Sequence, residues 1–445
     1  MMKSGAFQTA LTGEGRVSGI DQEGRGVVRG AGKTVFVAGA LPSERAVYRI
    51  VRRHKGFDEA EAVSLSDVSP VRREPPCPQF GECGGCALQH IEDSAQVAFK
   101  QRIVEEQLWR IGRVRPQRWL PPIYGFARHY RQRGRLRAQW TENGLRLGFQ
   151  TRRSHRVVAA GGCLVLPEAV ARMLPLWQQL LGALLDKATL EGLLFAQGSR
   201  VLAWQIHTRR PLADAVRARL ISALAAWQEE TGTALQLWLS HGRGAAECVA
   251  GQAADLYYEL RQYGIRMPFA PGDFTQVNAE TNELMVARAL ALLNPAAGER
   301  IADLFCGLGN FTLPLAQSGA QVLAVEGLVS LTRRAQANAC LNGLAGHIRF
   351  QTADLFACTA QTVAAWGHLD KMLIDPPRAG AYVLVQALPA GMPKRLVYVS
   401  CNPATFARDA AVLVRKGYVL EEAGVMNLFA QTAHVELVAR FEYGG

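Results

Sequence analysis

Hydrophobic and polar residues alternate along the chain in patterns that change twice, and these changes predict three domains. Residues 12–70 contain short alternating runs punctuated by glycine and proline, which is typical of a small antiparallel β-barrel. Residues 75–262 mix strand-like runs with amphipathic segments and predict an α+β domain. In residues 263–445, apolar strands alternate with helices, which favours a parallel, doubly wound α/β sheet that ends in an antiparallel hairpin.

The spacing of apolar residues also predicts where the longer helices begin and end. Apolar side chains that recur three and four positions apart indicate one face of a helix packed against a core. We expect such helices over Asp93–Ile111, Pro167–Leu194, Pro211–Gln228 and Ala279–Leu293.

Composition places the chain among cytoplasmic globular proteins. Of its 445 residues, 49% are hydrophobic, no apolar run is long enough to cross a membrane, and the first residues lack the apolar core of a signal peptide. Nine cysteines in a reducing compartment indicate metal binding or catalysis rather than disulfides. We expect a monomer that does not bind membranes.

The positive charge is concentrated in one stretch. The chain carries a net charge of +12, and residues 100–156 alone hold fifteen Lys and Arg against three Glu. A solvated basic face is the simplest interpretation. However, arginines neutralise phosphates and aromatic rings stack on unpaired bases, so the interleaved aromatic residues favour single-stranded or looped nucleic acid as the partner. These residues are Trp109, Trp119, Tyr124, Phe126, Tyr130, Trp140 and Phe149.

A cluster of cysteines predicts a metal centre in the central domain. Cys77, Cys83 and Cys86 are separated by five and two residues, and glycines beside them let the backbone fold closely around a ligand. A tetrahedral thiolate site needs a fourth ligand, for which Cys163 in a Gly-Gly-Cys sequence is the best candidate. Three clustered cysteines and one remote cysteine favour a [4Fe–4S] cluster over zinc, which commonly binds two paired cysteine knuckles.

The first strands of the C-terminal domain carry the pattern of a nucleotide site. A glycine turn, Cys306 to Asn310, connects a strand to a helix, whose N-terminal N–H groups can face a ligand. Glu326 ends the next strand, where a carboxylate can accept hydrogen bonds from ribose hydroxyls, and Asp354 after the third strand can reach an adenine amino group. This pattern predicts S-adenosylmethionine. NAD is the alternative, but the G-x-G-x-x-G spacing is absent.

Two further strand ends carry chemically useful residues. Arg395–Val399 reads as a buried strand, and Cys401 follows it just before Asn402 and Pro403. Because ligands bind beyond the carboxyl ends of parallel strands, this thiol is expected to face the site, although a buried, inert cysteine is the alternative. Asp375, followed by two prolines and Arg378, ends the preceding strand.

These motifs resemble those of the RNA uracil C5-methyltransferases. The resemblance is carried, in chain order, by DLFCGLGNFTLPLA (303–316), LIDPPRAG (373–380), YVSCNPATFARD (398–409) and HVE (434–436). The cysteine cluster and residues 24–46, which are similar to a TRAM domain, resemble the bacterial branch that acts on uracil 1939 of 23S ribosomal RNA.

The resemblance implies a mechanism and a set of site residues. Uracil C5 is a poor nucleophile until a thiolate adds to C6, and Cys401 is the residue implied for that addition. Glu436, with His434 as a neighbour, is implied as the base that removes the C5 proton. The implied cofactor or substrate contacts are Gln276, Phe305, Asn310, Glu326, Asp354 and Asp375. Methylation of another ribosomal or transfer RNA uridine, or a nonenzymatic role in RNA assembly, remains an alternative.

Overall fold

The computed structural model describes residues 11–30 and 32–444, which form two compact units. The first holds residues 11–30, 32–81, 85–103 and 431–434, and the second holds residues 82–84, 104–430 and 435–444. The division into three domains at residues 70–75 and 262–263 stays a prediction. Within the described residues, no helix is both long and apolar enough to span a membrane.

The first unit begins with a closed five-stranded barrel, which confirms the predicted β-barrel. Its strand order is β1-β2-β3-β5-β4, and every neighbouring pair is antiparallel except β3 with β5. Alternate residues fill the barrel, among them Val17, Val37, Ala46 and Ala60. The strands are β1 (Thr12–Ile20), β2 (Gly26–Val28), β3 (Thr34–Ala38), β4 (Arg45–Arg53) and β5 (Phe57–Ser66).

The buried carboxylate of Glu44 forms hydrogen bonds that hold the segment after β5 against the barrel. It accepts hydrogen bonds from the backbone N–H groups of Leu41 (2.7 Å) and Ser69 (3.2 Å) and from the Arg72 guanidinium (2.5 Å). Burial alone would raise the pKa of Glu44, but these three partners outweigh it and hold the pKa below its ordinary value.

A mixed seven-stranded sheet forms the central part of the second unit, with strand order β13-β12-β11-β10-β7-β8-β9. Its core contains three large aromatic residues, Trp177, Phe195 and Trp204. In chain order the elements that follow the barrel are α1 (Asp93–Gln107), a π-helix (Leu108–Gly112), β6 (Arg118–Trp119), β7 (Arg133–Thr141), β8 (Gly144–Gln150), β9 (Val157–Ala159), α2 (Glu168–Leu184), β10 (Leu190–Gln197), β11 (Val201–Thr208), α3 (Asp214–Thr231), β12 (Ala234–His241) and β13 (Glu247–Ala250).

Two of the predicted helices end earlier than the sequence pattern indicates. The helix predicted to reach Leu194 ends at Leu184, and β10 begins at Leu190. Both faces of β10 are largely buried, so its continuous apolar run fits a helix as well as a buried strand. The helix predicted to reach Ile111 changes to a π-helix at Leu108.

The C-terminal part of the second unit confirms the predicted doubly wound sheet and its final hairpin. The strand order is β18-β17-β16-β19-β20-β22-β21-β6, in which β16 to β20 are parallel and β22 is antiparallel to both of its neighbours. The elements are β14 (Tyr257–Leu260), β15 (Ile265–Pro268), α4 (Ala279–Leu293), β16 (Arg300–Leu304), α5 (Thr312–Gln317), β17 (Gln321–Glu326), α6 (Val329–Leu341), β18 (Ile348–Thr352), α7 (Ala360–Ala365), β19 (Lys371–Ile374), α8 (Tyr382–Ala387), β20 (Arg395–Ser400), α9 (Pro403–Arg415), β21 (Tyr418–Met426) and β22 (Glu436–Tyr443).

This strand order determines where a ligand can bind. The order reverses between β16 and β19, and open α/β sheets bind ligands beyond the carboxyl ends of strands at such a reversal. The connections that leave β16, β17, β18, β19 and β20 therefore meet at one edge of the sheet. That edge carries most of the residues implied by the sequence.

Candidate active site

The turn after β16 is built for close approach of a ligand. Phe305, Gly307 and Gly309 all have positive φ angles, of 63°, 55° and 95°, and Phe305 is strained there because it has a side chain. A Cβ at Gly309 would lie 2.5 Å from Leu313 Cδ1, whereas the space beside Gly307 is open. The turn therefore needs glycine at 309 for packing and exposes backbone at 307.

Glu326 holds this turn in place. The backbone N–H of Gly307 donates to Oε2 of Glu326 (3.1 Å), and the backbone N–H of Leu328 donates to Oε1 (2.9 Å). Each carboxylate oxygen keeps a further lone pair, so the same side chain can also accept hydrogen bonds from sugar hydroxyls. The predicted cofactor residue thus has a structural role as well.

Asn310 connects the turn to α4. Its side-chain amide exchanges two hydrogen bonds with the amide of Asn282 (2.9 and 3.0 Å), and the Tyr258 hydroxyl donates to its Oδ1 (3.1 Å). Most of the polar capacity of Asn310 is therefore used within the protein. Neither Asn282 nor Tyr258 was predicted, because no local sequence pattern joins three elements that are so far apart along the chain.

An aromatic pair lies beside the carboxylate that follows β18. Oδ1 of Asp354 accepts a hydrogen bond from the backbone N–H of Phe356 (2.9 Å), which starts a short 3₁₀ turn. The Phe356 side chain is 46% exposed, and its ring centroid lies 5.6 Å from that of Phe305. Two rings and an exposed carboxylate make a surface suited to a purine base. Phe356 was missed from the sequence, where its position two residues after Asp354 is the available signal; its exposure is known only from the fold.

Two carboxyl groups lie at the neighbouring strand ends, of which Asp303 is buried and Asp375 half-buried. Burial raises the pKa of Asp303 to about 7 and that of Asp375 to about 7. Asp303 accepts a hydrogen bond from Thr312 Oγ1 (2.5 Å), and the backbone N–H of Asp375 donates to Leu304 O (3.3 Å) across the β16–β19 pair. Near neutral pH both carboxyl groups can therefore hold or release a proton.

Strand pairing brings Cys401 and Glu436 together. β20 and β22 pair Ser400 with Leu437 and Val399 with Val438, so the next pair along this register is Cys401 with Glu436. Glu436 is only 3% exposed, and Cys401 is partly buried. Burial, together with the carboxylates of Glu436 and Asp375, raises the pKa of Cys401 to about 12, although Arg378 opposes this rise. The resting protein therefore holds a neutral thiol at this position.

The loop after β19 is fastened to α9, the helix that follows Cys401. Asn402 caps α9, and its Nδ2 donates to Arg378 O (3.0 Å), while Thr405 Oγ1 donates to the same oxygen (3.2 Å). Arg408 donates to Ala379 O (2.9 Å). The loop that carries Asp375 and the helix behind Cys401 therefore form one connected piece.

Asp409 lies at the centre of this connection and was not predicted. This fully buried carboxylate accepts hydrogen bonds from the Ala381 backbone N–H (2.7 Å), the Tyr398 hydroxyl (2.8 Å) and the Arg408 guanidinium (2.8 Å). A Cβ at Gly380, whose φ is +77°, would lie 2.6 Å from Asp409 Oδ2. Nothing but glycine at 380 allows the loop to approach the carboxylate so closely.

The remaining predicted residues lie outside this group of contacts. Gln276 is half-buried in the loop before α4, which is fastened by a hydrogen bond from Gln132 N–H to Val277 O (2.7 Å). The four predicted cluster cysteines, Cys77, Cys83, Cys86 and Cys163, are each half-buried. No group of three or more His, Cys, Asp or Glu among residues 11–30 and 32–444 is arranged to hold a metal ion.

Comparison with known proteins identifies similar chains. A sequence profile of the tRNA (Uracil-5-)-methyltransferase family matches residues 254–440. A 23S rRNA (uracil(1939)-C(5))-methyltransferase of Neisseria lactamica is 49% identical over 431 residues, which cover 96% of this chain and 94% of that protein. The corresponding protein of Dechloromonas aromatica is 46% identical over 96% of this chain and 99% of its own length.

A solved structure shares the fold. The tRNA (uracil-54, C5)-methyltransferase of Pyrococcus abyssi, crystallised with S-adenosyl-L-homocysteine, superposes with a TM-score of 0.72. The match covers 96% of this chain and 99% of that chain at 22% sequence identity. The fold of this chain is therefore also known from experiment.

Asp409→Asn should lower the free energy of unfolding by about 1–3 kcal/mol, because an amide cannot accept from all three donors and leaves a buried group unpaired. Chemical denaturation measures this change, and limited proteolysis should show faster cleavage in residues 378–381. Glu230→Gln, which changes an exposed carboxylate on α3, is the matched control. Equal stability of Asp409→Asn and the wild type would contradict the structural role of Asp409.

Proposed function

Because the chain belongs to the family of bacterial 23S ribosomal RNA uracil C5-methyltransferases, we propose that it transfers a methyl group from S-adenosylmethionine to C5 of a uridine in 23S ribosomal RNA. The relatives are named for uracil 1939, and we propose the same target here. The observation that carries the proposal is the pairing of β20 with β22, which aligns Cys401 with Glu436 at the ligand-binding edge of the sheet.

S-Adenosylmethionine would bind along the ends of β16, β17 and β18. We assign the ribose to Glu326 and the adenine to Asp354, with Phe305 and Phe356 providing the apolar surface. The open space beside Gly307 allows a ligand to approach the backbone. When bound, the cofactor supplies an electrophilic methyl group, while Asn310 and Asp375 shape the end of the pocket.

Cys401 is proposed as the nucleophile. Its sulfur adds to C6 of the uracil, which turns the ring into an enolate with negative charge at C5, the carbon that takes the methyl group. Because the pKa of Cys401 is raised to about 12, its proton has to leave as the sulfur adds. Asp375 is a suitable acceptor, since its pKa of about 7 lets it take up and return a proton near neutral pH.

Glu436 is proposed as the base that completes the reaction. After methyl transfer, C5 still carries its original proton, which Glu436 removes as the bond between Cys401 and C6 breaks. The product is a C5-methyluracil and the thiol regains its proton. Gln276, with Asp375, is proposed to contact polar edges of a uridine that is flipped out of the RNA into this pocket.

The cysteine cluster is proposed to hold a [4Fe–4S] cluster with Cys77, Cys83, Cys86 and Cys163 as ligands. Support comes from the spacing of the cysteines and from their partial burial. Cys83 forms an isolated β-bridge with Thr151, and Cys163 donates its backbone N–H to Ala160 O (3.1 Å), so both belong to ordered turns. No step of methyl transfer requires this cluster. We further propose that the protein acts as a monomer in the bacterial cytoplasm.

Cys401→Ala should abolish methylation without weakening binding of S-adenosylmethionine, because only the bond to C6 is lost. A strain that lacks the gene can be complemented with the wild type, Cys401→Ala or Cys340→Ala, which changes an exposed cysteine. Mass spectrometry of 5-methyluridine in ribosomal and transfer RNA then reports activity and target together. If Cys401→Ala restored 5-methyluridine, the mechanism would be refuted. If the wild type restored 5-methyluridine in transfer RNA and not in ribosomal RNA, the alternative substrate would be favoured.

Glu436→Gln should accumulate a covalent protein–RNA species, because loss of the base slows proton removal by about 10²–10⁴-fold while addition and methyl transfer proceed. Denaturing gel electrophoresis after mixing with substrate RNA and S-adenosylmethionine detects the adduct. The double variant Cys401→Ala/Glu436→Gln should form none. An adduct in the double variant would assign the nucleophile to another residue.

Cys83→Ser should remove most of the bound iron and lower stability, because a four-ligand site loses one thiolate. Iron assay and visible absorption of anaerobically purified protein measure the effect, with Cys248→Ser as the control at a cysteine outside the predicted set. Wild-type protein that contains zinc and no iron would exclude the iron–sulfur assignment.

A further inference from the structure

An exposed tryptophan flanked by arginines lies next to the helix that follows Cys401. Trp109 is 45% exposed on the π-helix Leu108–Gly112. The Cζ atoms of Arg113 and Arg115 lie 5.5 Å and 4.4 Å from the centroid of the Trp109 ring. We refer to Trp109, Arg113 and Arg115 together as the tryptophan–arginine surface.

The π-helix holds this surface in a defined conformation. Leu108 is fully buried, and its carbonyl accepts hydrogen bonds from the backbone N–H groups of Arg113 and Val114. Arg113 has a φ of 54°, a left-handed conformation that is strained for a residue with a side chain. π-Helical turns inside helices occur frequently at functional sites, and such local strain is typical of them.

The surface is anchored directly to α9. A Cβ at Gly112 would lie 2.6 Å from Ala407 O, so glycine lets the π-helix contact the backbone of α9. Ala407 is six residues after Cys401, which corresponds to about 9 Å along a helix axis. The π-helix that carries the tryptophan–arginine surface therefore contacts α9 between one and two helical turns beyond Cys401.

The charge of the surface is not neutralised by the protein. Residues 107–119 contain four arginines and no acidic residue. Arg110 pairs with Glu106 (3.1 Å) and Arg118 with Glu422, whereas Arg113 and Arg115 form no ion pair with any carboxylate in the described part of the chain. Two unpaired guanidinium groups over an exposed ring combine donors for phosphate oxygens with flat faces for a base.

From this geometry we infer that the tryptophan–arginine surface binds an unpaired nucleotide of the substrate RNA close to the target uridine. The base stacks on the Trp109 and guanidinium planes, and the adjoining phosphate is bound by Arg113 and Arg115. This contact positions the strand so that the target uridine reaches Cys401. The inference rests on the proposed function for the identity of the RNA, but the binding step can be measured without catalysis.

The test uses the full-length protein and an in vitro transcript of the 23S ribosomal RNA segment that contains the target uridine. Trp109→Ala should raise the Kd for this RNA by about 5- to 150-fold, the range expected for loss of one stacked base. Trp109→Phe should recover most of the affinity, because a smaller ring still stacks. The affinity for S-adenosylmethionine should stay at its wild-type value in both variants.

A second variant tests the phosphate contact. Arg115→Gln should reduce the slope of log Kd against log salt concentration by about 1, as expected when one phosphate contact is lost. Arg349→Gln removes an exposed arginine on β18 and should leave both the Kd and the slope unchanged.

The outcomes separate this inference from the proposed function. If the wild-type protein methylates the RNA and Trp109→Ala binds that RNA as tightly as the wild type does, the inference is wrong and the proposed function stands. RNA binding that depends on Trp109, in a wild type that methylates no ribosomal uridine, would support the inference and refute the proposed function. The inference would also be wrong if Trp109→Ala weakened binding to a ribosomal protein but left the affinity for the bare RNA unchanged.

Discussion

The antiparallel pairing of β20 with β22 is the constraint on which the site depends. β20 carries Cys401 at its end, β22 begins with Glu436, and the ladder between them sets which residues face each other. Residues 396–399 and 437–439 are all fully buried, so a slip of one position would turn every apolar side chain to the wrong face. The hydrophobic core thus fixes the alignment of two residues that are 35 positions apart along the chain.

The same packing determines how reactive the thiol is. Burial, Glu436 and Asp375 raise the pKa of Cys401, so the site stores a neutral thiol that is slow to react with oxidants or alkylating agents. In the proposed mechanism, the reaction becomes favourable only when a uracil ring is present to accept the sulfur and a carboxylate is present to accept its proton. Asp409 stabilises the site, because its hydrogen bonds connect the loop that carries Asp375 to α9, the helix after Cys401.

Access of RNA to such a buried site requires contacts beyond the pocket. The basic stretch at residues 100–156 is expected to provide long-range attraction to phosphates, which would bring RNA to the protein but would not orient one nucleotide. A rigid aromatic ring on a π-helix packed against α9 can orient one, because its position is coupled to that of Cys401 through a single helix. Within residues 100–156, the basic side chains are thus assigned the attraction of RNA, and Trp109 is assigned the positioning of one nucleotide.

The barrel, the doubly wound sheet and the boundaries of α4 were predictable from the amino-acid sequence, because these features depend on periodic burial and on residues close together along the chain. It also placed Glu326, Asp354, Asp375 and Cys401 at strand ends, since parallel strands bring their carboxyl ends to one edge. Only the fold showed that the last residues of the helix predicted to reach Leu194 belong to β10, where burial on both faces hides the period. Tertiary structure also identified Tyr258, Phe356, Asp409 and the surface at Trp109. Tyr258, Phe356 and Asp409 act through contacts between distant segments, and local sequence patterns carry no information about which segments will meet. Trp109 is named from the sequence as part of the basic stretch, but only the fold shows that it is exposed and that its π-helix contacts α9.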